Sequence, residues 1–226
     1  MINSILYLHG LASSPRSNKA NIFRPSFEQH GLMYRVPDLN VPSFEHLTLT
    51  AMLERVAEEI RSLPTSDGDA ADVALIGSSL GGLTALHFID RYREIEARRV
   101  AKVVLMAPAL DFMSNRLRSL GEDGMAEWKR SGWLPTFNYA AGENRNLHYG
   151  IVDDVLNYDS YAVVVDRPML IFHGLHDESV DYRGSVRFAE ERPLVTLRLL
   201  ESDHQLLDQT DLIWHEMVAF LGIGKT

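Results

Sequence analysis

Short apolar runs rich in branched residues alternate with longer segments of helical period along most of this sequence. The runs that predict strands cover residues 5–8, 33–36, 72–76, 100–106, 168–172 and 194–200. Apolar strands separated by helices are typical of parallel βαβ units, in which helices cover both faces of the sheet. We therefore predict an α/β fold with a mostly parallel six-stranded sheet. Because 226 residues suit one hydrophobic core, a single domain over residues 1–226 is expected.

Helical periodicity places helices at residues 17–29, 45–63, 80–92 and 208–221. In the last of these, apolar residues share one side: Leu212, Ile213, Met217, Phe220 and Leu221. The small, acidic segment 64–71 reads as a linker between a helix and a strand.

The alternation of strands and helices fails between residues 109 and 165. A crossover between parallel strands needs only about a dozen residues, and longer connections are often functional. This predicts a cap inserted after the fourth strand; the alternative is a peripheral decoration without substrate contact. Trp128, Trp133 and Tyr139 are its candidate substrate-binding residues, although such aromatic residues also pack an insert to the body.

Composition excludes several classes of partner and chemistry. The formal net charge of -9 argues against nucleic acid or an anionic membrane as partner. The absence of Cys removes disulfides, thiolate metal sites and a cysteine nucleophile. The N-terminal apolar run is broken by His9 and does not resemble a signal peptide, so a cytoplasmic protein is expected. No histidine pair has metal-ligand spacing, and we expect neither a catalytic metal nor a cofactor.

The segment Gly77-Ser78-Ser79-Leu80-Gly81 lies between a predicted strand and a predicted helix. It fits the pattern G-x-S-x-G, whose serine occupies a strained turn that needs near-absent side chains two residues to either side. Ser79 meets this requirement and Ser78 does not, since Ile76 would flank it. Ser79 is the candidate nucleophile; the alternative is a glycine-rich turn without chemistry.

A serine nucleophile needs a base and an acid that orients the base. Asp177 and His204 each follow a predicted strand, at the sheet edge where open α/β folds place their sites. Asp181 is a rival acid on the same loop, but Asp177 lies nearer the strand end. Asp203 is adjacent to His204 in sequence and is expected to be a solvated loop residue.

Two backbone N–H groups are the candidate oxyanion donors. Leu11 lies on the loop after the first strand and Leu80 follows Ser79. Such donors stabilise charge that develops only in the transition state. His9 and His173, both at strand ends, are expected to have structural roles.

Four segments, LYLHGLASSPRSNKA, LIGSSLGG, LIFHGLHDESV and ESDHQL, together resemble the α/β-hydrolase superfamily across nearly the whole chain. The first is similar to small bacterial YqiA-like esterases, and the last two, together with the insert, are similar to cinnamoyl-esterase-like and small acyl-esterase members. The resemblance implies the α/β-hydrolase fold, with Ser79, Asp177 and His204 as triad and Leu11 and Leu80 as oxyanion donors.

These observations lead to the hypothesis of a serine hydrolase that cleaves carboxylic esters of small to medium acyl or aromatic groups. The expected partner is a small-molecule ester, and the sequence indicates no oligomeric state. The alternatives are a thioesterase or acyl transferase with the same triad, a non-hydrolytic lyase or oxidative member of the fold, and a non-catalytic binding protein on this scaffold.

Overall fold

The computed structural model describes residues 1–64 and 71–224. Its strands are β1 Ser4–Leu8, β2 Met33–Arg35, β3 Val73–Ser78, β4 Val100–Met106, β5 Trp133–Asn138, β6 Glu143–His148, β7 Met169–Gly174 and β8 Val195–Leu200. Its α-helices are α1 Asn18–Gln29, α2 Leu49–Ser62, α3 Leu80–Arg91, α4 Phe112–Ser131, α5 Gly150–Val155, α6 Tyr182–Ala189 and α7 Thr210–Leu221. The predicted linker falls mostly on 65–70, outside the described residues.

Six strands form one sheet in the order β2-β1-β3-β4-β7-β8, and all neighbouring pairs are parallel. The predicted α/β architecture is confirmed. Parallel strands bring their carboxyl ends to one edge of the sheet, and the strand order reverses between β1 and β3. Ligands of open α/β sheets bind at such a reversal.

Helices cover both faces of this sheet because side chains alternate along each strand. Leu6 and Leu8 of β1 face the cluster that contains α2 and α3. Ile5 and Tyr7 face the opposite cluster, which contains α1 and α7. The two apolar clusters hold the strand ends in fixed positions relative to one another.

The insert contains α4, an antiparallel hairpin of β5 and β6, and α5. The six predicted strands form the parallel sheet; the hairpin adds two strands that the sequence analysis did not identify, and its mostly exposed β6 lacks an apolar signal. A break at Gly121, with φ 69° and ψ 174°, divides α4 into two helical pieces. Trp128, Leu147 and Ile151 pack into the same cluster as α2 and α3.

Two helix predictions need correction. Helix α2 starts at Leu49 rather than residue 45, because the Thr48 side chain accepts a hydrogen bond from the Ala51 N–H and caps the helix there. Helix α7 starts at Thr210 rather than residue 208, and Leu212 is exposed instead of joining its buried side. None of the described helices is long and apolar enough to cross a bilayer.

Candidate active site

Ser79 lies in the turn between β3 and α3, with φ 54° and ψ −116°. A Cβ on Gly77 would lie 2.4 Å from the Gly81 carbonyl oxygen, and one on Gly81 would lie 2.1 Å from the Leu8 carbonyl oxygen. Both positions therefore exclude every side chain. The close packing of the turn against β1 explains the two glycines of the motif and holds Ser79 in a strained conformation.

The loop after β1 lies directly beside Ser79. A Cβ on Gly10 would lie 3.2 Å from the Ser79 Cβ and 3.8 Å from its Oγ. Within the described part of the chain, the N–H groups of Leu11 and Leu80 donate no hydrogen bond. Both candidate oxyanion donors are thus left available on the segments that flank Ser79.

His9 holds this loop in place. The side chain is 2% exposed, its Nε2 accepts a hydrogen bond from the Leu39 N–H at 3.0 Å, and its Nδ1 lies 2.9 Å from the Gly10 carbonyl oxygen. Since Nε2 is an acceptor, Nδ1 carries the proton and donates to Gly10. His9 has the structural role that the sequence predicts.

Asp177 and His204 meet at the carboxyl ends of β7 and β8. His204 Nδ1 lies 2.7 Å from Asp177 Oδ2, and Asp177 Oδ1 accepts hydrogen bonds from the Ser179 and Val180 N–H groups, each at 2.8 Å. Burial alone would raise the pKa of Asp177, but hydrogen bonds from His173 and His204 outweigh burial and hold it well below its usual range. Asp177 is therefore an anion that fixes the orientation of His204.

The Nε2 atom of His204 is the ring nitrogen left for a substrate or for Ser79. Within the described residues, Ser79 Oγ forms no hydrogen bond with it. Catalytic hydrogen bonds of this kind are often long in unliganded enzymes and shorten when substrate binds. The structure thus joins the acid to the base and places Ser79 at the end of β3, which β4 separates from β7 at the same edge of the sheet.

His173 is a further member of the site that the sequence analysis treated only as structural. It is fully buried, its Nε2 lies 3.2 Å from Asp177 Oδ2, and its Nδ1 lies 2.8 Å from Ser185 Oγ. A donor at Nε2 gives Asp177 a second histidine partner. The available signal was its position in β7, four residues before Asp177.

The other two acids have different roles. Asp181 caps α6 by accepting a hydrogen bond from the Arg183 N–H, and it pairs with Arg118 at 3.2 Å. Asp203 is exposed and accepts hydrogen bonds from two N–H groups of its own loop. Neither carboxylate is bonded to His204, so Asp177 is the acid that the structure brings to the base.

Backbone strain is concentrated around this site. The described non-glycine residues with positive φ are Ala12, Ser79, Ala107 and Leu206. They lie on the loops that follow β1, β3, β4 and β8, all at one edge of the sheet. Such conformations cost about 1–3 kcal/mol each and are often found at functional sites, where surrounding structure enforces them. Four separate loops are therefore constrained at the place where Ser79, Asp177 and His204 lie.

The three aromatic candidates of the insert differ in position. Trp128 is 1% exposed and its Nε1 donates to the Leu147 carbonyl oxygen, so its assignment as a substrate contact needs correction: it packs the insert. Trp133 packs against the rings of His46 and His148. Tyr139 is 77% exposed, and its N–H donates to the Ala12 carbonyl oxygen at 2.9 Å. Only Tyr139 combines an exposed ring with a contact to the loop that carries Leu11.

Comparison with solved structures identifies several proteins of similar fold. Alpha/beta hydrolase domain-containing protein 10 from mouse matches with a TM-score of 0.77 and 18% identity, over 97% of this chain and 89% of that one. Est1E from Butyrivibrio proteoclasticus, in a structure with bound ferulic acid, matches with a TM-score of 0.74 and 18% identity, over 97% and 89%. A bromoperoxidase from Bacillus anthracis matches with a TM-score of 0.63 and 19% identity, over 98% and 92%.

Family comparison is more specific than these structural similarities. No curated protein matches the sequence. The model of the family described as "Uncharacterised protein family (UPF0227)" matches residues 4–222. The resemblance to α/β-hydrolases, YqiA-like members included, is thereby confirmed. With this match over almost its whole length, the chain belongs to the UPF0227 family and has the α/β-hydrolase fold.

Proposed function

We propose that this protein is a serine hydrolase that cleaves carboxylic esters of small to medium acyl or aromatic groups. The observation that carries the proposal is the 2.7 Å bond between His204 Nδ1 and the buried Asp177 carboxylate, at the same edge of the sheet as the strained turn of Ser79. An oriented imidazole and a serine on such a turn at one sheet edge are the groups that serine hydrolases use.

The reaction follows from the roles of these groups. His204 Nε2 takes the proton of Ser79 Oγ as that oxygen attacks the ester carbonyl carbon. The Leu11 and Leu80 N–H groups donate to the carbonyl oxygen as it becomes negative; one such donor contributes roughly 3 kcal/mol. His204 then protonates the leaving alcohol, and a water molecule deprotonated by His204 releases the acid from Ser79.

Apolar surfaces of the insert support an apolar acyl or alcohol group. Phe137 and Tyr139 form an edge-to-face pair with ring centroids 5.1 Å apart, and both rings are exposed. A groove of about 340 Å³ lies between the two pieces of α4, lined by Met113, Leu117, Met125 and Tyr149 among others. The similar fold of Est1E, which holds ferulic acid, is consistent with an aromatic substrate.

The test is hydrolysis of p-nitrophenyl acetate and butyrate combined with labelling by a fluorophosphonate. The Ser79→Ala variant should lose turnover and labelling while its thermal unfolding is unchanged. Ser78→Ala is the matched control, because Ser78 is the neighbouring hydroxyl of the same motif, and it should keep both. Mapping of the adduct to any residue other than Ser79 would contradict the proposal.

The same geometry also suits thioester cleavage and acyl transfer, which differ from ester hydrolysis in the leaving group or acceptor. A comparison of kcat/KM for short acyl esters and acyl-CoA thioesters separates these activities. The oxidative alternative is represented by the Bacillus anthracis bromoperoxidase. It would be favoured by halide oxidation in the absence of any acyl-enzyme.

A further inference from the structure

Lys19 is a buried cation that the proposed reaction does not use. It is the second residue of α1, which follows the loop that carries Leu11, and it is 8% exposed. Lysine is almost never buried in proteins unless it is paired. The Ser17 side chain caps α1 by accepting a hydrogen bond from the Ala20 N–H, so the position of Lys19 relative to the loop is fixed.

The partners of Lys19 belong to the candidate active site. Its Nζ donates to the backbone carbonyl oxygen of His204 at 3.3 Å. Two carboxylates raise its pKa electrostatically, Asp177 on the loop after β7 and Asp203 on the loop after β8. Burial lowers the pKa of Lys19 to about 8, while these carboxylates favour its charged form. Lys19 is therefore mostly protonated at pH 7.

We propose that Lys19 is a positioning residue of the reaction. Its ammonium group ties the loop of the base to the helix that follows the oxyanion loop. The expected changes in kcat rest on the proposed function, whereas the expected effect on the position of His204 does not.

The contact between Lys19 and His204 acts through geometry. The hydrogen bond connects the loop of the base to the start of α1, which follows the oxyanion loop, and both loops must be in register with Ser79. A misplacement of about 1 Å in such a site can cost roughly 100-fold in rate. A lysine–carbonyl hydrogen bond elsewhere in the fold would not position the base.

Lys102 provides a matched control within the same chain. It is a partly buried lysine of β4 whose Nζ donates to the Phe220 carbonyl oxygen in α7. It lies near the start of its strand, away from the carboxyl edge of the sheet. Lys102→Met therefore removes a lysine–carbonyl hydrogen bond without removing a charge from the site.

The experiment measures kcat and KM for p-nitrophenyl butyrate in four variants. Lys19→Met should lower kcat about tenfold with KM nearly unchanged, because it removes the hydrogen bond that positions the base. Lys19→Gln keeps a donor and should lose less of kcat. Lys19→Arg should restore the wild-type kcat, and Lys102→Met should keep it.

An NMR measurement makes the outcome independent of substrate. The resonance of the His204 Nδ1 proton, identified by its loss in a His204→Asn variant, should change position at pH 7 in Lys19→Met, because the hydrogen bond from Nδ1 to Asp177 changes when the loop moves. Lys102→Met should leave the resonance in place. If the change occurs in a protein without esterase activity, Lys19 positions the base and the proposed ester reaction is wrong. An unchanged resonance in Lys19→Met would overturn the inference, whatever the activity.

Discussion

At the carboxyl edge of the sheet, a single added carbon on Gly81 would lie 2.1 Å from a backbone oxygen, and Ser79 is held at φ 54°. In the hairpin of the insert, Gly142 has φ 72° and nothing within 4 Å of the place where its Cβ would be. The backbone conformation at the sheet edge is thus determined by contact with neighbouring backbone. The conformation of the hairpin is determined mainly by its own turn. The candidate catalytic residues lie at this edge, and the exposed hairpin lies in the insert.

The largest difference is expected between the two acids of the loop after β7. Asp177→Asn should lower kcat about 10⁴-fold, because an amide can no longer hold His204 in the required tautomer. Asp181→Asn should leave kcat within a few-fold and keep the cap of α6, since Asn caps helices as well as Asp. Steady-state kinetics of both variants with p-nitrophenyl butyrate checks this. Equal losses of kcat in the two variants would mean that Asp177 has no special role compared with Asp181.

Gly81→Ala should be the most destabilising of the glycine substitutions. The added Cβ meets the Leu8 backbone, so either strand or helix must move, at a cost of more than about 4 kcal/mol. Gly142→Ala, which encounters only the unfavourable positive φ, should cost about 1–2 kcal/mol. Denaturant unfolding of both variants measures the difference. A Gly142 variant as unstable as the Gly81 variant would contradict the comparison.

A substitution of Trp128 tests whether the insert shares the hydrophobic core of the body. Trp128→Ala should lower the free energy of unfolding by about 3–5 kcal/mol, because a fully buried indole leaves a cavity in the shared core. Trp133→Ala is the control from the same insert; its side chain is 39% exposed and should cost about 1 kcal/mol. A small effect at Trp128 would mean that the insert folds independently of the body.

His87 lies where the body meets the insert, with its Nε2 3.2 Å from Ser160 Oγ. Desolvation lowers its pKa to about 4, below the ordinary value of 6.5. A depressed pKa contributes stability above pH 6.5 that is lost as the pH falls through 4. The free energy of unfolding of the wild type, relative to that of His87→Gln, should therefore fall by about 3 kcal/mol from pH 7 to pH 4. Chemical denaturation at several pH values measures it, and a constant difference would refute the argument.

The smallest effect is expected at the exposed tip of the hairpin. Tyr139→Ala should lower kcat/KM for aryl esters about threefold and for acetate esters hardly at all, because an exposed aromatic contact contributes about 0.5–1 kcal/mol. Tyr182→Ala, in α6, is the aromatic control. Equal losses for both ester classes would argue against an aromatic contact at Tyr139.

Much of the body could be predicted from sequence because its signals are local. Apolar runs identified all six strands of the sheet, and the glycine spacing around Ser79 indicated a turn that only small residues allow. The insert offered weaker signals. Its strand β6 is polar and mostly exposed. The aromatic residues of the insert look alike in sequence, although Trp128 is buried and Tyr139 is not.

By itself, the sequence determined the order of strands and helices and which residue types follow each strand, since these depend on periodicity and turn chemistry within short windows. Only the tertiary structure decided which of those residues meet. It selected Asp177 over Asp181 as partner of His204, added His173, and buried Lys19 against the His204 carbonyl group. These contacts join residues up to 185 positions apart. They exist because parallel strands bring distant loops to one edge of the sheet.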